Sequence, residues 1–156
     1  MVNVNWSRWI FASITKHFYD NLNASLKVYV EGQRRVNLRD QENFCEVRVD
    51  GPYLTEVSKG NYRIYSEVNV VVQHHMSDSN WHTIHTNIGL VQGAFTTIPI
   101  YKYGSGVQDD DSLLCCLELV QDARNDLETN QLGQIGPDKQ LMMATIEGHY
   151  ECLLEV

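Results

Sequence analysis

Histidine carries the clearest chemical potential in this chain, and four copies crowd one short segment: His74, His75, His82 and His85. Neutral imidazole is the commonest ligand for zinc and iron. Residues three apart on a helix share a face, so His82 and His85 could present paired nitrogens. A metal site, however, needs three or more converging ligands, usually with carboxylates behind them. His74 and His75 are neighbours at the end of a strand pattern, where successive side chains point to opposite sides. The expectation is therefore exposed or capping histidines and no metal or other cofactor. A small metal-dependent or ligand-binding enzyme built on this group is the alternative.

The other reactive types are less organised. Asp109, Asp110 and Asp111 match a calcium loop in charge only, without the alternating spacing and closing glutamate that such a loop needs. No G-x-S-x-G elbow occurs, and Gly104-Ser105-Gly106 lacks the GK[ST] ending of a phosphate cradle. Cys45, Cys115, Cys116 and Cys152 have no C-x-x-C spacing, and the vicinal pair in an apolar run reads as buried thiols. No catalytic residue is assigned, and the chain is expected not to be an enzyme.

The elements that must position these groups are legible from periodicity. Trp6, Ile10, Ile14, Phe18 and Leu22 recur every four residues with Trp9 completing the stripe, predicting an amphipathic helix with Asn5 as its cap. Leu26 to Glu31 predicts a short strand, followed by a polar loop over 33–43 that carries Arg34, Arg35 and Arg39. Residues 44 to 73 alternate apolar and polar on either side of Ser58-Lys59-Gly60-Asn61, predicting a long antiparallel hairpin kinked at Gly51-Pro52. A second helix is predicted from the Ser77-Asp78-Ser79-Asn80 opening, with Trp81, Ile84, Ile88, Val91 and Phe95 on its stripe.

Beyond that helix, Ile98-Pro99-Ile100-Tyr101 predicts an edge strand, because proline is tolerated there. Residues 104 to 112 predict a flexible acidic loop, 113 to 120 an interior strand, 121 to 139 a polar connection, and 140 to 154 a last strand. The fold class is thus α+β: a single domain over 1–156, with an antiparallel or mixed sheet, a long hairpin and two helices packed on the sheet.

The chain has 156 residues and 43% hydrophobic content, enough for one two-layer core. Twelve basic against twenty acidic side chains give a formal charge of −8, which argues against a nucleic-acid surface built from clustered Lys and Arg. Neither a membrane span nor a signal peptide is readable, so the expectation is a protein made in the cytosol with no membrane partner.

With no catalytic signature and long strands, the hairpin reads as surface for a scaffold or subunit contact. Here the order of elements resembles a known family. The WIFASITKHF helix, the EVRVDGP and NYRIYSEVNVVVQ strands, the helix after them and the late ATIEGHYECLL strand are similar to tail terminator (tail completion) proteins of tailed bacteriophages. The resemblance implies a structural virion protein, commonly a hexameric homo-oligomeric ring. Such a ring caps the tail tube, stops its polymerisation and docks the connector at the neck. A head-completion or neck-ring protein is the alternative within that class. DNA would pass through the lumen without specific binding, and an acidic lumen repels phosphate. The Arg34, Arg35 and Arg39 segment and the Asp109, Asp110 and Asp111 segment, opposite in sign, are the expected contacts between neighbouring subunits.

Overall fold

The computed structural model describes residues 3–33, 43–75, 82–104, 107–120, 127–135 and 141–155, with backbone alone for residues 104, 107–111, 134 and 135. The elements run α1 (Trp6–Leu22), β1 (Lys27–Val30), β2 (Asn43–Ser58), β3 (Asn61–His75), α2 (Thr83–Ala94), β4 (Ile98–Gly104), β5 (Val107–Leu119), β6 (Leu127–Ile135) and β7 (Leu141–Glu155). The strands form one sheet in the order β1-β2-β3-β7-β5-β4, and β6 pairs with β7 off that path. It is mixed, because β1 runs parallel to β2 while the other pairs are antiparallel. This is an α+β arrangement, as the periodicities predict.

The backbone of the sheet is the β3–β7 ladder, continuous from His75↔Leu141 to Asn61↔Glu155. Alternation sorts its side chains. Ile64, Val68, Val70 and Val72 of β3 and Ala144, Ile146 and Tyr150 of β7 turn to one face and are fully buried. On that face sit the helix stripes, Trp6, Ile10, Ile14, Phe18 and Leu22 from α1 and Ile84, Ile88 and Val91 from α2, in one hydrophobic cluster. Aromatic rings seat the helices: Trp6 meets Tyr62 edge-on at 5.5 Å between centroids, and Phe18 meets Phe95 at 5.0 Å. Phe95 in turn stacks on Tyr150, whose hydroxyl donates to the Thr96 carbonyl at 3.0 Å. A Cβ on Gly148 would lie 2.7 Å from the Phe95 ring, so glycine is what lets the end of α2 close onto β7.

Beside this core, α1 blunts one sheet edge. Strand β4 ends the path, and an open edge would expose unpaired backbone groups. Trp9 Nε1–H and Arg8 Nη2–H each donate to the Tyr103 carbonyl at 2.9 Å, while the Tyr101 N–H donates to Ser13 Oγ at 3.0 Å. The edge position expected for the Pro99 segment is found, and α1 takes up the Tyr101 N–H and the Tyr103 carbonyl of that edge.

Other expectations need correction. Asn5 precedes α1 but its backbone is already helical and its side chain makes no cap bond; Asn3 Oδ1 instead accepts the Asn5 N–H at 2.9 Å. The acidic stretch read as a loop is strand: β5 starts at Val107, so Asp109, Asp110 and Asp111 lie in it, at a register shift between the Tyr103↔Gln108 and Tyr101↔Leu113 pairs of the ladder to β4. The connection read between residues 121 and 139 contains β6, a polar strand paired along β7 from Leu127↔Gly148 to Ile135↔Leu141. In both, pairing to a neighbour overrides a weak local preference. Among the described residues, four strands thus follow α2, where the periodicities mark three. That helix begins at Thr83, and Trp81 lies outside the described residues. Leu113 and Cys116 are exposed, so β5 is interior in strand order while one of its faces is open.

Candidate functional site: the helix-free face of the sheet

Since the helices cover one face, the odd-numbered residues of β3 and β7 look the other way. The register lines up Tyr65↔Glu151, Glu67↔His149 and Asn69↔Glu147, with β2 contributing Asp50 opposite Glu67 and Tyr53 opposite Tyr65. A cis Gly51-Pro52 bond and a register shift between Asp50 and Tyr53 mark the kink expected there. The Gly51 φ of 101° is a conformation side-chain-bearing residues rarely adopt.

His149 is the centre of this face. Its Nδ1 lies 2.5 Å from the Tyr65 hydroxyl and 3.2 Å from Glu67 Oε1, and its Nε2 lies 3.4 Å from Glu147 Oε1. The rings of Tyr65 and His149 stack at 5.8 Å. In the neutral tautomer with the proton on Nε2, Tyr65 O–H donates to Nδ1 and Nε2–H is directed at Glu147. Protonation would set an imidazolium between two carboxylates. Glu67, Glu147 and His149 are also the one group, among the described residues, whose three ligand atoms fall within 4.8 Å of one another.

Beside them lies a depression of about 330 Å³ lined by Glu31, Arg48, Asp50, Glu67, Asn69 and Glu147. The one cation among its described lining residues, Arg48, donates its Nε–H to Glu46 Oε1 at 2.7 Å. The negative field is felt by the groups inside it. Partial burial, then the Glu67 charge, holds the Glu147 carboxyl above its ordinary range, with His149 pulling the other way and Glu128 adding to the rise. Partial burial and the same carboxylates raise the Tyr65 phenol.

An acid with a raised native pKa binds its proton more tightly when folded, so its contribution to stability falls as pH rises through that raised value. Glu147→Gln should therefore raise Tm at about pH 7 and lose that advantage at about pH 3, below the ordinary glutamate value, where the wild-type carboxyl is protonated in both states. Thermal melts of both proteins across this range check it; an unchanged difference at the two ends would contradict the assignment.

At the hairpin end of the same face the character changes. Tyr53 on β2 and Leu153 on β7 are exposed, Leu153 at 67%. Leu153 stands opposite Arg63, and Tyr53 contacts Tyr65 at 6.1 Å between rings. The acidic strip thus passes into a mixed surface, where exposed Tyr53 and Leu153 stand among Thr55, Arg63 and Glu151 on the same face.

The histidines singled out by the sequence do not join this site. His74 is fully buried on the helix side, with Nδ1 hydrogen-bonded to Asn43 Oδ1, which also accepts from Asn87 Nδ2 at 3.2 Å. His75 is half-buried at the strand end, and His82 and His85 are exposed at the start of α2. Arg34, Arg35 and Arg39 lie outside the described residues, and Asp109, Asp110 and Asp111 are placed by backbone alone. What sequence reasoning missed was His149. Its signal was the alternation of Thr145, Glu147, His149 and Glu151 on the polar side of the last strand.

No family model and no curated protein matches the chain. Solved structures do match: one, known only by a serial designation, has a TM-score of 0.51 at 14% identity, covering 92% of this chain and 93% of its own. At that identity the likeness shows the fold alone.

Proposed function

We propose that the chain is a structural virion subunit of the tail-terminator kind, not an enzyme. It forms a homo-oligomeric, hexameric ring at the head-proximal end of a phage tail, stops growth of the tube and joins it to the neck or connector. The observation that carries the reading is the helix-free sheet face, on which the acidic strip of Asp50, Glu67 and Glu147 adjoins exposed Tyr53 and Leu153. Exposed apolar side chains gathered on one face mark contact surfaces, and tyrosine is favoured in them. A strip of clustered carboxylates suits a lumen that DNA crosses without sticking. The β2–β3 hairpin is read as the arm that brings the apolar part against the next copy. A ring of one subunit type joins two different patches, so this strip needs to meet a distinct surface on its neighbour.

The contact is tested by Tyr53→Asp combined with Leu153→Asp. Both positions are exposed, so secondary structure and Tm should be retained, while the assembled mass falls to that of one subunit in light scattering. A double variant that keeps the assembled mass would remove this face from the subunit contact.

A further inference from the structure

The geometry points to a second feature, independent of the assembly reading: we propose that Cys115 and Cys152 are a disulfide-forming pair that reacts with low-molecular-weight disulfides and staples β5 to β7. Their Sγ atoms lie 3.0 Å apart. A disulfide bond needs about 2 Å, so small side-chain rotations separate the dithiol from the bond. The two strands are already held together next to the pair, through Glu118↔Glu151 and Leu119↔Tyr150. Cys115 itself is fixed in the β4 ladder opposite Ile100.

The pair is also reachable. Cys115 is half-buried and Cys152 only 9% exposed, but a cavity of about 580 Å³ lined by Arg63, Cys115, Cys116, Glu151 and Cys152 among others opens over the pair, whereas Cys45 has no exposed surface. As neutral thiols, Cys152 donates to Cys115. When Cys152 ionises, the Cys115 thiol can turn to donate to it. That hydrogen bond eases ionisation of Cys152 and, with burial, raises Cys115.

The reaction with a disulfide RSSR, oxidised glutathione being the probe, proceeds in two exchanges. The Cys152 thiolate attacks one sulfur of RSSR; the new S–S bond forms as the old one breaks and RS⁻ leaves. The Cys115 thiolate then attacks Cys152 Sγ and expels the second RS⁻. Both thiol protons end on the two RSH products, the protein dithiol is oxidised and RSSR is reduced. Cys116 is the exposed neighbour and takes no part in the link.

The test treats the folded full chain with oxidised glutathione, quenches with acid, then unfolds, alkylates and maps the peptides without reduction. The protein should lose two hydrogens and yield a peptide joined through Cys115 and Cys152. Its Tm should rise by roughly 5 to 15 °C, reversed by dithiothreitol. Cys116→Ser should form the same link, and Cys115→Ser should instead retain glutathione on Cys152. A Cys115–Cys116 bond, glutathione on Cys116 alone, or four free thiols after treatment would each overturn the proposal.

Discussion

Ile14→Asp should leave little or no folded protein in the soluble fraction. Ile14 is fully buried in the middle of the α1 stripe, between Ile10 and Phe18, in the cluster that joins both helices to the sheet. An aspartate there would be either a buried unpaired charge or a carboxylic acid without partners, and it would also forfeit the apolar burial of the side chain. Together these cost more than about 4 kcal/mol, a large part of the stability of an ordinary domain. Phe11, three residues earlier, lies at the margin of that stripe, where its ring is exposed. Phe11→Asp should therefore express and melt close to wild type, within about 1 kcal/mol. Solubility and circular dichroism of the two variants form one experiment. A well-folded Ile14→Asp beside a collapsed Phe11→Asp would mean that the buried stripe of α1 is rotated toward Phe11.

Phe18→Ala should be the most damaging simple truncation. Phe18 has no exposed surface and meets Phe95 edge-on, and Phe95 continues into the stack on Tyr150. Removing the ring takes away apolar burial, opens a cavity and frees Phe95, which Gly148 admits at close range. The expected loss is about 3 to 5 kcal/mol, read from urea unfolding at unchanged m-value. The variant should remain folded because the rest of the α1 stripe is intact. A loss below about 1 kcal/mol would show that α1 and α2 do not meet through these rings.

The parts of this fold that could be read from the sequence are those where one chemical period runs uninterrupted. The four-residue recurrence of α1, the alternation through β3 and the Met142, Ala144, Ile146, Tyr150 series of β7 each encode a buried face locally. Strand β6 was hidden because LETNQLGQI has few apolar residues and takes its order from β7. The start of β5 was hidden because three aspartates are poor strand formers, and the ladder to β4 holds the chain on either side of them, at Gln108 and Leu113. The site was harder still. Tyr65 and His149 are 84 positions apart, and their contact depends on the cross-strand register, which no local pattern contains. The clustered histidines drew attention by proximity in sequence, but a strand and a helix carry them to different surroundings. Cys115 and Cys152 were likewise separated by 37 positions, so spacing rules for cysteine could not pair them.

The cavity-lined, acidic and apolar surfaces all lie on parts of the sheet that α1 and α2 leave open, which is the physical basis for reading this chain as a building block. The most direct test is the mass of the purified protein in solution, measured by light scattering near physiological salt and accompanied by negative-stain images. The account predicts a single assembled species whose mass is six times that of the 17.9 kDa chain, seen as closed rings with a central opening. A monodisperse single chain at all concentrations tested, with no ring in the images, would contradict it.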